Sequence, residues 1–177
     1  MSDEVTVDEF RDPFWSVVRR RHPDLDVVIV PDTVAADDSG LPAADADAFA
    51  HAHDAAVDGL WAALIGRGAP QRTARWIPGP TRDSVRRTVT LTLDGVDAAD
   101  ALRRLSDAPA LLEGERWHVF TPPTGMPRVT ADRSGDLGDE HLLIGCAIEQ
   151  ARLFLRLTST GIPVGRAGVH ALLGAAA

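Results

Sequence analysis

The chain has 177 residues, of which 45% are hydrophobic and 25% charged, with a formal net charge of −8. That size and balance fit one globular domain whose core needs neither metal nor disulfide, and the lone cysteine, Cys146, excludes an intrachain disulfide. Lysine, asparagine and tyrosine are absent and all 18 basic residues are arginine, which excludes a Schiff-base or P-loop lysine, a Ser–Lys dyad, a tyrosine acid and a papain-like Cys-His-Asn triad.

The charge is unevenly placed. Residues 1–58 carry −10 and residues 59–177 carry +2. An acidic chain repels polyanions on average, so neither nucleic acid nor an anionic membrane is an expected partner. No apolar run is long enough to span a membrane. The N-terminus lacks the basic and apolar regions of a secretory signal. With a single cysteine, this sets the expectation of a cytoplasmic protein.

The first residues, 1–9, are expected to fray. Asp12 and Pro13 suit a helix start, and His22-Pro23 ends that helix. Leu25–Val30 is rich in β-branched residues and reads as a strand. Residues 31–43 read as an acidic loop. Over 45–65, Phe49, His53, Ala56, Val57, Leu60, Trp61 and Leu64 share one face of a helix. Asp45 is expected to cap it, and Gly66, Gly68 and Pro70 to end it.

Residues 73–77 read as a short strand. Ser84–Leu93 alternates: Val85, Arg87, Val89, Leu91 and Leu93 on one side, Ser84, Arg86, Thr88, Thr90 and Thr92 on the other. This is a half-buried strand of an antiparallel sheet. Asp97 caps a helix over 98–106, with Asp100 favourably placed in its first turn. Residues 115–121 and 127–131 read as two strands. Residues 139–159 fit a helix or a strand pair. Gly161 and Pro163 look like a helix stop, which favours the helix. A last short helical turn is expected over 169–173.

The resulting fold class is α+β: a mostly antiparallel sheet of four or five strands against three or four helices. The β-α-β-β-α order over 84–159 is compatible with a ferredoxin-like core.

Candidate sites are few. His51 and His53 would chelate together on a strand, but on a helix they lie about 200° apart, so no metal site is expected. Cys146 and His141 do not converge on one helix face, so Cys146 reads as an inert buried thiol rather than a nucleophile. No catalytic set and no cofactor motif (GxGxxG, Walker A, GxSxG, HExxH) is present.

A helix over 139–159 would be apolar nearly all round. This makes it either a central core helix or an oligomer interface through Leu142, Cys146, Leu153 and Leu157. The leading expectation is therefore a noncatalytic interaction or scaffold module that pairs with a protein partner or with itself. The alternative is a small-molecule binding protein, or small enzyme, with an arginine-lined anion pocket. Its candidate ligand residues are Arg86, Arg87, Thr88, Thr90, Trp117 and His118, with Thr92 beside them, since guanidinium forks suit carboxylate and phosphate.

Overall fold

The computed structural model describes residues 17, 20–21, 43–66, 68–135 and 138–174. The chain divides into two compact units, Met1–Ala35 and Ala36–Ala177. In the first, Val17, Arg20 and Arg21 are helical. The rest of the helix read over 12–22, the strand read over 25–30 and the loop over 31–42 lie outside the described residues.

The second unit is α+β. It holds α1 (Ala43–Leu64), β1 (Gln71–Pro78), β2 (Ser84–Asp94), α2 (Ala98–Gly114), β3 (His118–Phe120), β4 (Arg128–Gly135), β5 (Gly138–Ala147), β6 (Arg152–Thr158), β7 (Ile162–Pro163) and α3 (Gly165–Gly174). The strands form one antiparallel sheet in the order β1-β2-β6-β5-β4-β3, with β7 paired to the start of β2. The seven strands among the described residues exceed the four or five expected from sequence, because residues 139–159 supply two of them.

That segment is the main correction. It forms β5, a single 3-10 turn at Ile148–Gln150, and β6, not a helix. Ala151 closes the turn in the left-handed region at φ 49°. Leu142, Ile144 and Cys146 alternate into the core, as do Leu153, Leu155 and Leu157 after the turn. Two period-2 runs out of phase look like an all-round apolar helix when drawn at period 3.6. The ferredoxin-like core is not confirmed, since its second helix would be this strand pair.

The topology follows from the pairing. Four antiparallel steps separate β2 from β3 across the sheet, so the two run parallel, and parallel strands need a crossover. α2 supplies it, packing on β3, β4 and β5. The chain then returns as the meander β3-β4-β5-β6 to lie beside β2.

Local signals fix the helices. α1 begins two residues before Asp45, which sits in its first turn rather than capping it. Its end is as expected: Gly66 takes φ 67°, and the Ile65 and Gly66 amides donate to the Trp61 carbonyl. At α2, the Asp97 carboxylate accepts from the Asp100 amide at 3.0 Å. This helix outruns its expected end at 106 and passes through Pro109 to Gly114. Ala101, Leu105, Ala108 and Leu112 are all buried on its inner face, and that burial offsets the amide the proline removes. Arg104 bonds both Asp100 and the Ile65 carbonyl, tying α2 to the end of α1.

Within the second unit, α1, α2 and α3 pack on one face of the sheet. One core cluster joins Val57, Leu60, Trp61 and Leu64 of α1 and the inner face of α2 to Val89, Leu91, Val129, Leu142, Ile144, Leu153, Leu155 and Leu157. A smaller one joins Val85, Ile162 and Val164 to Phe49, Trp76 and the α3 residues Val169, Leu172 and Leu173. None of the described helices is long and apolar enough to cross a membrane.

Candidate functional site: the open face of the sheet

The strand register sends alternate residues to the face opposite the helices. These residues line up in rows from one edge strand to the other. One row runs Arg75, Thr88, Thr158, His141, Asp132 and His118, each directly opposite the next. The next runs Thr73, Thr90, Arg156, Leu143, Thr130 and Phe120. A third runs Gln71, Thr92, Phe154, Gly145 and Arg128.

The β1-β2-β6 end of this face holds an open depression of about 340 Å³ lined by Thr73, Arg75, Ile77, Thr88, Thr90, Arg156 and Thr158. Thr88 and Thr158 share a hydroxyl bond at 3.2 Å, and Arg156 Nε donates to Thr90 Oγ1 at 3.1 Å. These bonds hold the floor of the depression in place. Arg86 flanks the depression one step along β2, opposite Ile77 of β1.

Six arginines among the described residues are held in ion pairs: Arg72 with Asp54 and Asp58, Arg87 with Asp54, Arg103 and Arg104 with Asp100, Arg133 with Glu140, and Arg152, at the end of β6, with Asp94. These pairs have visible electrostatic consequences. The hydrogen bond from Arg104, aided by Arg103, holds the Asp100 carboxyl below the usual carboxylate range. The bond to Asp94 raises Arg152 further. Among the described residues, Arg75, Arg86 and Arg156 have no carboxylate within ion-pair distance, and Arg86 Nε is buried without any hydrogen-bond partner. A buried unpaired donor on a cation is costly unless something completes it.

The structure redistributes the residues singled out from sequence. Thr88, Thr90 and Arg86 share the open face, with Thr92 beside them. His118 lies on the same face but at the far edge, on β3, four strands from β2. Arg87 points the other way: it bonds Asp54 of α1 through Nε at 3.3 Å and through one terminal nitrogen at 3.2 Å, and stacks 5.4 Å from the Trp76 ring. The sequence places it on the apolar side, and an arginine there must be paired; grouping it with Arg86 as a ligand residue is corrected. Trp117 also leaves the set, buried in the core with Arg133 over its ring at 4.3 Å. Leu142, Cys146, Leu153 and Leu157, read as interface residues, are buried in the chain's own core. Burial accordingly pushes the Cys146 thiol up, which keeps it protonated and inert.

Sequence reasoning misses Arg75, Thr158 and Phe154, the first because its strand is expected only in outline and the other two because their segment fits a helix. It also misses the pairing of His141 with Asp132, whose side chains meet at 2.5 Å across β4 and β5. The His51-x-His53 pair is helical, as the spacing predicts. His51 is exposed and bonds the Asp47 carbonyl at 2.8 Å, while His53 is buried beside the Leu157 carbonyl at 3.4 Å. No group of three His, Cys, Asp or Glu side chains converges as a metal site among the described residues. No protein-family model, curated protein or solved structure matches the chain.

Proposed function

We propose that the protein is a noncatalytic binding module whose open sheet face takes an anionic ligand carrying a carboxylate or phosphate. The observation that supports this reading is the gathering of three arginines without carboxylate partners around one depression. Six other described arginines have carboxylate partners. Arg75, Arg86 and Arg156, gathered around a threonine-floored depression, do not. Planar guanidinium forks beside hydroxyl donors suit planar carboxylate and tetrahedral phosphate oxygens. An open, shallow site that leaves bulk water in contact with its ligand suits recognition better than chemistry that depends on excluding water. Self-association through residues 139–159 loses its support, because the apolar side chains there are used in the core.

The test is a titration of the amide spectrum with inorganic phosphate and with acetate, for the native chain and an Arg86→Ala/Arg156→Ala variant. Shifts concentrated on β1, β2 and β6, and lost in the variant while its unfolding midpoint is retained, are the expected result. An absence of shifts at millimolar anion, or shifts indifferent to the substitutions, would falsify the reading.

A further inference from the structure

We infer that the anion bound on this face carries a flat apolar ring, and that Phe154 is the residue that receives the ring. The inference rests on the anion-binding reading and adds the chemistry of the rest of the ligand.

Beside the cationic depression, β6 and β5 carry apolar side chains, Phe154 and Leu143, on the same open face. Phe154 and Arg156 stand on the same side of β6, two residues and roughly 7 Å apart along the strand. Across from them on β5 stand Gly145 and Leu143. The ring of Phe154 fills the space above Gly145: a Cβ there would meet the ring at 2.5 Å and the Met126 methyl at 3.2 Å. The missing side chain thus lets an aromatic ring lie over the neighbouring strand. Met126 is exposed beside it, and Phe120, on the second row beyond Leu143 and Thr130, is 60% exposed. Solvent-facing apolar side chains on a sheet's polar face are not required by its core, which lies wholly on the other side.

Charge complementarity selects the occupant. Arg156 and Arg86 attract an anion to one side of Phe154, and Arg128 flanks the other side in the third row, its guanidinium bonded to the Thr124 and Met126 carbonyls. A ligand whose anionic group sits at Arg156 therefore reaches Phe154 with whatever lies about one ring-width away. A ring there gains both apolar burial and an aromatic contact. A net charge of −8 on the whole chain disfavours a long polyanion. The occupant is thus a small aryl phosphate or aryl carboxylate.

Calorimetric titration with inorganic phosphate, butyl phosphate and phenyl phosphate separates the contributions. Phenyl phosphate is expected to bind about fivefold to tenfold more tightly than inorganic phosphate, the gain of one ring contact, with butyl phosphate between them. Phe154→Leu should remove the advantage of phenyl over butyl phosphate while inorganic phosphate binding stays unchanged. Gly145→Ala, which displaces the ring without touching an arginine, should do the same. If inorganic phosphate and phenyl phosphate bind equally well, or Phe154→Leu leaves the aryl preference intact, the ring inference fails and the anion reading stands. If neither phosphate binds, the anion reading itself fails. Displacement of phenyl phosphate by a short single-stranded oligonucleotide at a tenfold lower concentration would overturn the assignment to a small ligand.

Discussion

Along β6, Leu153, Leu155 and Leu157 are completely buried beneath the helices, while Phe154, Arg156 and Thr158 between them face the open side. Along β2 the same alternation separates two adjacent arginines. Arg87 turns under α1 to a carboxylate and an indole ring, with its side chain 15% exposed. Arg86 turns to the open face with a buried, unpartnered Nε. One set of strands thus builds a covered face where Arg87 is paired within the chain, and an open face where Arg86 is not. Identical residue types take opposite roles because the side-chain period of a strand is two.

The contrast has a scale that mutation can measure. Leu155→Ala removes a side chain with no solvent exposure from the covered face and should cost about 2–5 kcal/mol. Its neighbour, as Arg156→Ala, should stay within about 0.5 kcal/mol of native. Urea unfolding of the two variants checks this; equal losses would mean that the open face is part of the stability of the fold.

The two adjacent arginines sharpen the comparison. Arg87→Ala strands Asp54 beside Arg72 alone and uncovers Trp76, so a loss of about 1–2 kcal/mol is expected. Arg86→Ala should change stability by less than about 0.5 kcal/mol and act on anion affinity instead. Unfolding curves and phosphate titrations of both variants, read side by side, decide it. A reversed order of stability would undo the division of labour.

The smallest expected effect lies within the covered face. His53 is stacked on Phe49 at 6.1 Å and buried over β6. Burial lowers its pKa, against the opposing influence of the Leu157 carbonyl, Glu140 and Asp54. As pH falls, the unfolded chain therefore takes up this proton before the folded chain does. The stabilising contribution is complete above the ordinary histidine value of 6.5 and declines as pH drops below it toward the lowered folded-state value. His53→Gln should flatten that part of the stability–pH curve. A slope unchanged by the substitution would place the titration elsewhere.

Much of the covered face is legible in the sequence. The helical stripe from Phe49 to Leu64, the Asp97 cap and the clean alternation over 84–93 each declare their element because one side is apolar and the other is not. The open face is much less legible. Thr88, Thr90 and Arg86 could be read from their own strand, but Arg75, Arg156 and Phe154 join them only through pairing between segments far apart in the chain. Residues 139–159 were unreadable for a specific reason. Leu143 and Phe154 place apolar side chains on the polar side of β5 and β6, so the alternation blurs and a helix fits as well. These are the residues that the open face needs for its apolar half.

The sequence by itself determined an α+β chain, the positions of α1, β2 and α2, and an arginine on the wrong side of β2 that had to find a partner. Each of these is decided within one segment, by periodicity or by a local hydrogen bond. Only the tertiary structure decided which arginines are paired, that residues 139–159 turn back at Ala151 into two strands, and that Arg75, Arg86, Arg156 and Phe154 share one surface. Those facts depend on register between strands up to 70 residues apart, and register is fixed by the burial of a whole face at once rather than by any stretch of sequence.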